Sequence, residues 1–180
     1  MKYYHPVELN NLSVIQQKVF KLVPLHNLNK TILFYIPNNL EIFFNIPELK
    51  GELDRLGWTD HVDSFGFYIV QKTNGSTLHT DTGDRTYSLN IPIINCVGTR
   101  VNFYTTDSEP EVQLHGEGVD YNKYDVQTCT LADSLEMIIP HVINVKEVHN
   151  VSNSNYGPRI TLLIRMKNTL DLSHLFYETH

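Results

Sequence analysis

The stretch FGFYIVQK, residues Phe65–Lys72, marks the point at which the sequence changes from helical to strand-like patterning. Aromatic and β-branched residues dominate this stretch, which is typical of a β-strand. Similar short runs follow, separated by polar turns: Thr86–Ile94, Thr99–Thr105, Gln127–Leu131, Glu136–Ile139, Val142–Val145 and Ile160–Met166. Many short strands of this kind favour an antiparallel sandwich or barrel. We therefore expect an α+β protein whose core is a jelly-roll-like barrel.

Helical signals are confined to the part of the chain that precedes Trp58. A first helix is predicted to open at Pro6, with four apolar residues on one face: Ile15, Val19, Leu22 and Val23. A second is predicted to begin at Pro47 and to end at Gly57, which fits a left-handed cap. Its apolar residues recur at helical spacing: Leu49, Leu53 and Leu56. We expect these N-terminal helices to pack on one face of the barrel.

Length and composition set the broad class of protein. The 180 residues are 41% hydrophobic and 19% charged, which suits a single globular domain over residues 1–180. Within it, residues 1–60 are expected to support a core formed by residues 65–166. No apolar run approaches the roughly 20 residues of a membrane span, and two cysteines suit a reducing, cytoplasmic environment. The net charge of −6 disfavours nucleic acid as a partner, so we expect a small-molecule or peptide ligand.

The acidic residues are concentrated between Asp107 and Asp125, where six carboxylates face a single Lys123. This segment therefore carries a net charge of −5 out of the total of −6. The segment runs 19 residues without a clear core pattern, which predicts a long loop. Such a loop is either simply solvated or a rim that attracts a cationic substrate. With Tyr121 and Tyr124 it is also a candidate for a mobile lid.

Three potential metal ligands stand out by their arrangement. His79 and Asp81 are two residues apart at the end of a strand, so their side chains point the same way and reach one ion. His149 lies 68 residues beyond Asp81, directly after the run 142–148. Two imidazoles and one carboxylate occupy one face of a metal and leave the other face open. This is the coordination expected of a non-haem Fe(II) centre that also binds oxygen and a cosubstrate.

An arginine that could bind a carboxylate follows His149 in the sequence. Arg159 lies ten residues after His149, and Thr161 shares its face of the next strand. We expect a hairpin to return this strand beside His149, where the guanidinium and the hydroxyl would meet one carboxylate. An unpaired arginine inside a barrel would cost several kcal/mol, so an anionic ligand is a reasonable partner.

The ordered set of His-x-Asp, a distant His and then Arg-x-Thr resembles the 2-oxoglutarate- and Fe(II)-dependent dioxygenases. The stretches HTDTGDRTYSLNIPI (79–93) and VINVKEVHNVSNSNYGPR (142–159) resemble the compact bacterial and bacteriophage members, prolyl hydroxylases among them. The resemblance implies a double-stranded β-helix, or jelly-roll, core. It also implies hydroxylation of a C–H bond, with succinate and CO2 as coproducts and an amino-acid or peptidyl substrate such as proline.

The same resemblance implies a role for each residue of the set. The iron ligands would be His79, Asp81 and His149, with O2 as the oxidant. Arg159 and Thr161 would bind the distal carboxylate of 2-oxoglutarate. A further polar side chain from a neighbouring strand also contacts the cosubstrate in this family. The candidates for that role are Tyr68, Tyr87 and Asn90.

Structural alternatives exist for these side chains. Asp81 could cap the turn after it, His149 could bond a backbone carbonyl, and Arg159 could be a surface ion-pair partner. A second His-x-Asp, His61 and Asp63, is a less favourable candidate because no strand leads into it. Arg85 is expected to pair with a surface carboxylate, the alternative being a role in orienting the substrate.

Two other classes of function fit a metal-binding barrel. The first is a cupin-like jelly roll that binds a metal or ligand without catalysis, although such barrels normally carry His-x-His followed by a glutamate. The second is a zinc hydrolase, which needs a general base that no HExxH arrangement supplies here. The cupin-like alternative also gives Arg159 no function.

Overall fold

Antiparallel β-sheet is the predominant secondary structure among the described residues. The computed structural model describes residues 3–23, 32–36, 39–73, 75–83, 85–116 and 119–176. The helices are α1 (Leu12–Phe20), α2 (Asn39–Asn45) and α3 (Pro47–Leu56). The strands are β1 (Tyr4–Pro6), β2 (Ile32–Ile36), β3 (Val62–Val70), β4 (His79–Asp81), β5 (Tyr87–Ile94), β6 (Thr99–Thr106), β7 (Glu111–Gly116), β8 (Val119–Lys123), β9 (Cys129–Leu135), β10 (His141–Asn144), β11 (Val148–Asn153) and β12 (Arg159–Met166).

These strands form two six-stranded sheets that exchange strands along the chain. The first sheet has the order β1-β10-β5-β12-β3-β2, and the second has the order β7-β8-β4-β11-β6-β9. Neighbours in both sheets pair antiparallel. Consecutive strands repeatedly cross from one sheet to the other, which is the topology of a jelly roll. The β-rich barrel expected from the sequence is therefore present.

The two faces of β12, a strand of the first sheet, pack against different parts of the protein. On β12, Ile160, Leu162 and Ile164 belong to one buried cluster with residues of α1 and α3, including Ile15 and Leu53. A second buried cluster lies between the two sheets and includes the following side chains: Val70, Val101, Phe103, Ile143, Val145 and Val151. Because side chains alternate along a strand, the residues between the β12 apolar positions face this inter-sheet space.

The N-terminal helix begins later than the sequence pattern predicts. Pro6 ends β1, an edge strand paired with β10, where its missing N–H is tolerated. Helix α1 begins at Leu12 and ends at Phe20, so Leu22 and Val23 lie beyond it. The prediction for α3 is confirmed: it begins at Pro47, and Gly57 caps it with a φ of +74°.

Two predictions in the second half of the chain are wrong. Residues 136–139 are not a strand: Met137 is buried, but Ile138 and Ile139 are exposed, and β9 ends before them. The acidic segment is not a long loop, because β7 and β8 pair with each other and extend the second sheet beside β4. The part of that segment at 117–118 lies outside the described residues.

The connection between β11 and β12 also differs from expectation. The two strands do not form a hairpin, since β11 pairs with β4 and β6 whereas β12 pairs with β3 and β5. They therefore belong to opposite sheets, and Arg159 and His149 lie on opposite walls of the barrel. Among the described residues, none of the helices has the length and apolarity needed to cross a membrane.

Candidate metal centre and its cavity

Strands β4 and β11 bring the three predicted metal ligands together. His79 and Asp81 point to one side of β4, whereas Thr80 between them is buried on the other. His149 on β11 is the direct register partner of His79. One donor atom from each of the three side chains lies within 4.8 Å of the others. Such a group of two imidazoles and one carboxylate has the spacing and the chemistry to hold a metal ion.

Backbone carbonyls orient both imidazoles. The Nδ1 atom of His79 lies 2.8 Å from the carbonyl oxygen of Thr77, and that of His149 lies 2.8 Å from the carbonyl oxygen of Glu147. A carbonyl oxygen only accepts, so each Nδ1 carries the proton and each Nε2 keeps its lone pair. The structural alternative for His149, a backbone hydrogen bond, therefore coexists with ligation through the other nitrogen.

Burial keeps the histidine of β11 neutral. Removal from water, followed by the charge of His79, lowers the pKa of His149 to about 3. Removal from water also raises the pKa of Asp81, and electrostatic interactions with three neighbours oppose this effect: His79, Arg85 and Lys146. A neutral imidazole beside a carboxylate with cationic neighbours is the protonation state that metal binding requires.

The backbone around Asp81 is held from two directions. The Nζ of Lys146 donates to the carbonyl oxygens of Asp81 and Gly83 at 3.1 and 2.7 Å. The amide of Asp81 donates to the carbonyl oxygen of Val145 at 2.9 Å. These bonds attach the end of β4 to the turn after β10, so the carboxylate of Asp81 is presented from a restrained backbone.

The three ligands open into a cavity of about 420 Å³ between the sheets. Arg159 and Thr161 on β12 are 1% and 0% exposed. Arg159 also lines this cavity. The Nε and Nη1 atoms of Arg159 and the Oγ1 atom of Thr161 have no hydrogen-bond partner among the described residues. Burial lowers the pKa of Arg159 below its ordinary value. Because unmet buried donors cost stability, these atoms form a preformed site for a ligand that accepts hydrogen bonds.

Two of the three proposed third partners also line the cavity. Tyr68 on β3 is the register partner of Thr161. Burial raises the pKa of Tyr68, and a hydrogen bond with Ser76 and the charge of Arg159 oppose that rise. Asn90 lines the cavity from β5.

The third candidate, Tyr87, is wrong as a cavity residue. It belongs to the cluster that contains the helices, where its ring stacks on Phe176 with centroids 5.2 Å apart. The reason is the alternation of β5, which places Ser88 and Asn90 toward the cavity and Tyr87 and Leu89 away from it.

Several cavity residues were not assigned to the site from the sequence, among them Ser88, Arg165 and Tyr121. Ser88 lies two residues before Asn90 on β5, and Arg165 lies six residues after Arg159 on β12, so each points to the same side of its strand as that residue. This alternation was the signal available in the sequence. Burial lowers the pKa of Arg165 to about 10, so this guanidinium stays charged at neutral pH. Tyr121, previously a lid candidate, lines the cavity from β8, where its ring meets that of His79 edge to face at 5.8 Å.

The second His-x-Asp lies outside this cavity. The Nδ1 atom of His61 is 2.9 Å from the hydroxyl of Thr169, and Asp63 pairs with Arg85 at 3.3 Å. Arg85 thus pairs with an exposed carboxylate, as expected. Among the described residues, the group with metal-ligand spacing is the one formed by His79, Asp81 and His149.

No family model and no curated protein sequence matches the chain. Among solved structures, the epimerase SnoN in complex with Fe3+, alpha ketoglutarate and nogalamycin RO is 9% identical, with a TM-score of 0.52 over 92% of this chain and 79% of that chain. The hydroquinone 1,2-dioxygenase PnpCD with Cd2+ is 16% identical, with a TM-score of 0.37 over 64% and 66%.

Oxalate decarboxylase from Bacillus subtilis, described with Mn(II) centres, is 13% identical, with a TM-score of 0.33 over 62% of this chain. The match spans 23% of the length of the decarboxylase chain. At these identities the similarity concerns the fold alone. Of these three structures, only SnoN has a TM-score above 0.5, and this similarity agrees with the β-rich fold described above.

Proposed function

We propose that the protein is an Fe(II)- and 2-oxoglutarate-dependent dioxygenase. It hydroxylates a C–H bond of an amino-acid or peptidyl substrate and releases succinate and CO2. The observation that carries this proposal is the pairing of two sites in one cavity. The ligand group of His79, Asp81 and His149 lies in the same cavity as Arg159. The Nε and Nη1 atoms of Arg159 and the Oγ1 atom of the nearby Thr161 have no hydrogen-bond partner among the described residues.

The ligand group fits Fe(II). Two Nε2 lone pairs and one carboxylate suit a non-haem iron centre, and they leave coordination positions for a cosubstrate and oxygen. When bound, Fe(II) and 2-oxoglutarate would together activate O2, with one oxygen atom going to succinate and the other to the hydroxylated substrate. The chain's own contribution is to keep His149 neutral through burial and to hold the backbone of Asp81 through Lys146.

The opposite wall fits the distal carboxylate of 2-oxoglutarate. A guanidinium binds a carboxylate through two parallel hydrogen bonds, and the Thr161 hydroxyl adds a third donor. The low dielectric of the cavity strengthens these bonds and penalises Arg159 when they are absent. We assign Tyr68 as the neighbouring-strand partner, because it is opposite Thr161 in register and interacts electrostatically with Arg159.

Apolar side chains line the space between the two sites. Val101 and Val151 from the second sheet, Ile143 from β10 and Val145 directly after β10 face the cavity. They limit the water that competes for the donors of Arg159, which increases the strength of each polar contact with a bound dicarboxylate.

The proposal is tested by anaerobic addition of Fe(II) and 2-oxoglutarate. We expect a visible charge-transfer band in the wild type and no band in His79→Ala. His61→Ala, which changes the histidine of the other His-x-Asp, is the matched control and keeps the band. Oxygen should then convert 2-oxoglutarate to succinate in the wild type and the control.

Three outcomes would contradict the proposal. A band that survives in His79→Ala would show that iron binds elsewhere. A wild type that binds metal but not 2-oxoglutarate would favour the cupin-like binding protein. Preferential zinc binding without a band would favour a hydrolase.

A further inference from the structure

A thiol lies beside the guanidinium that the proposed function assigns to the cosubstrate. Cys96 follows the end of β5 and is 7% exposed. Its Sγ atom lies 3.3 Å from the carbonyl oxygen of Ile94 and 3.5 Å from that of Ile160, the residue after Arg159. The side chains of Cys96 and Arg159 also share a hydrogen bond. The proposed function gives this thiol no role.

The thiol uses its hydrogen and its lone pairs toward different partners. A guanidinium only donates hydrogen bonds, and a backbone carbonyl only accepts them. The single S–H hydrogen is therefore directed to the carbonyl of Ile94 or Ile160, and the sulfur accepts from Arg159. Because sulfur is a weak acceptor, this contact restrains one part of the guanidinium without neutralising its charge.

Other donors of the same guanidinium are unmet inside the protein. The Nε and Nη1 atoms of Arg159 have no hydrogen-bond partner among the described residues, although the side chain is buried. Its electrostatic partners in the described part of the chain are Cys96 and Tyr68, and neither is a carboxylate. Since Arg159 lines the cavity, a ligand there can meet the donors that the weak sulfur contact leaves available.

The turn that carries the thiol is attached to the segment that leads into β12. Asn95, directly before Cys96, has a φ of +50°, a left-handed conformation that asparagine tolerates. Its Nδ2 atom donates to the carbonyl oxygen of Pro158 at 3.0 Å, and its own carbonyl accepts from the Nδ2 atom of Asn155 at 3.0 Å. Because Pro158 directly precedes Arg159, these bonds hold the two backbones on either side of the sulfur contact.

We propose that Cys96 is a positioning residue for the cosubstrate: its sulfur orients the guanidinium of Arg159 so that the remaining donors meet the distal carboxylate of 2-oxoglutarate. This inference rests on the proposed function and adds a residue to its binding site. The weakness of the acceptor is part of the role. A carboxylate at position 96 would pair with Arg159 itself and compete with the ligand.

The test compares two 2-oxo acids in the anaerobic protein loaded with Fe(II). 2-Oxoglutarate carries a distal carboxylate for Arg159, whereas pyruvate offers the metal the same 2-oxo-acid end without one. The charge-transfer band gives the Kd of each acid, and competition with a chelator gives the Kd of Fe(II). A change confined to 2-oxoglutarate therefore reports on Arg159 and not on loss of the fold or of the metal.

Three substitutions of Cys96 differ in the acceptor that they offer. Cys96→Val removes the acceptor at similar side-chain size and should weaken 2-oxoglutarate binding about tenfold. Cys96→Ser keeps an acceptor and should bind 2-oxoglutarate within about threefold of the wild type. In Cys96→Asp the new carboxylate should pair with Arg159 and weaken binding by at least about 100-fold.

The other measurements serve as controls. The Kd values of pyruvate and of Fe(II) should stay within about twofold of the wild type in all three variants. Cys129→Val changes the half-buried cysteine of β9 and is the matched control, which should leave the Kd of 2-oxoglutarate unchanged.

Failure of this inference differs from failure of the proposed function. Absence of the band with 2-oxoglutarate in the wild type overturns both. A normal wild-type band with an unchanged Kd in Cys96→Val overturns the inference alone. Equal losses in Cys96→Val and Cys96→Ser, or a parallel loss of pyruvate binding, also overturn it, because packing rather than the acceptor would then be responsible. If Cys96→Asp does not fold, the comparison of the valine and serine variants decides.

Discussion

The two walls of the cavity have opposite hydrogen-bonding character. The second-sheet wall presents lone pairs, from His79, Asp81 and His149, whereas the first-sheet wall presents donors, from Arg159 and Thr161. The lone pairs of the second-sheet wall do not accept hydrogen bonds from these donors of the first-sheet wall. The electrostatic partners of Asp81 are His79, Arg85 and Lys146. Each wall is therefore complementary to a ligand, a cation on one side and an anion on the other.

Removing a ligand from the lone-pair wall should give the largest effect. We expect Asp81→Asn to weaken Fe(II) binding by at least roughly 100-fold, because the carboxylate supplies the negative charge of the site. The measurement is metal titration by calorimetry or competition with a chelator. Asp63→Asn changes the matched residue of the other His-x-Asp and should bind as the wild type does. Equal losses in the two variants would contradict the proposed ligand set.

Removing the cation from the donor wall should separate ligand binding from stability. Arg159→Met should weaken 2-oxoglutarate binding by roughly 100-fold without changing Fe(II) affinity. It should also raise the free energy of unfolding of the ligand-free protein by about 2 kcal/mol, since it removes a buried charge whose Nε and Nη1 donors have no acceptor. Urea denaturation with and without 2-oxoglutarate measures both effects.

The control for this substitution is Arg100→Gln, which removes an exposed arginine of β6. It should alter neither quantity. A strong loss of stability in ligand-free Arg159→Met would contradict this prediction, because it would show that Arg159 forms a stabilising interaction within the protein.

The attachment of Asp81 to its neighbouring turn should have an intermediate effect. Lys146→Met removes two hydrogen bonds to the backbone carbonyls of Asp81 and Gly83, and we expect Fe(II) affinity to fall about tenfold. Lys167→Met is the matched control, because its Nζ bonds the carbonyl of Asp60 away from the cavity. Metal titration of both variants makes the comparison, and an unchanged Kd in Lys146→Met would refute a positioning role.

A buried histidine outside the lone-pair wall should give the smallest effect. Burial lowers the pKa of His141, so its folded pKa lies below the ordinary value of 6.5. As pH falls below that value, the unfolded state binds a proton that the folded state resists, and stability decreases until the depressed pKa is reached.

We therefore expect the unfolding free energy of the wild type to fall more steeply below pH 6.5 than that of His141→Gln. The difference should be at most about 1.4 kcal/mol per pH unit. Chemical denaturation between pH 7 and pH 5 measures it, and Fe(II) affinity at pH 7 should be equal in the two proteins. Equal slopes of the unfolding free energy against pH in the two proteins would contradict a lowered pKa of His141 in the folded state.

Sequence patterning was informative where a single element decides the outcome. The spacing of His79 and Asp81 placed both on one face of a strand, and Pro47 with Gly57 bounded α3 correctly. Sequence patterning was less informative where the tertiary packing of a segment decides its structure. The acidic segment at 107–125 carries no apolar core pattern, although β7 and β8 within it pair as antiparallel strands, with β7 at the edge of the second sheet.

The choice among Tyr68, Tyr87 and Asn90 illustrates the same limit. Alternation separates Tyr87 from Asn90, since they lie three residues apart on β5. Alternation does not say whether the side of β5 that carries Tyr87 or the side that carries Asn90 faces the cavity, because both sides contain buried residues. That decision depends on the packing of α1 and α3, which occupy the face that Tyr87 shares.

The sequence by itself determined six of the strands, the chemistry of each proposed ligand and the shared face of Arg159 and Thr161, because these depend on residue type and a period of two. The six strands are β3, β5, β6, β9, β10 and β12. Only the tertiary structure decided that His149 pairs with His79 and that Arg159 faces them from the opposite sheet. The reason is that strand partners distant in the chain are selected by the closure of the whole barrel, which no local pattern encodes.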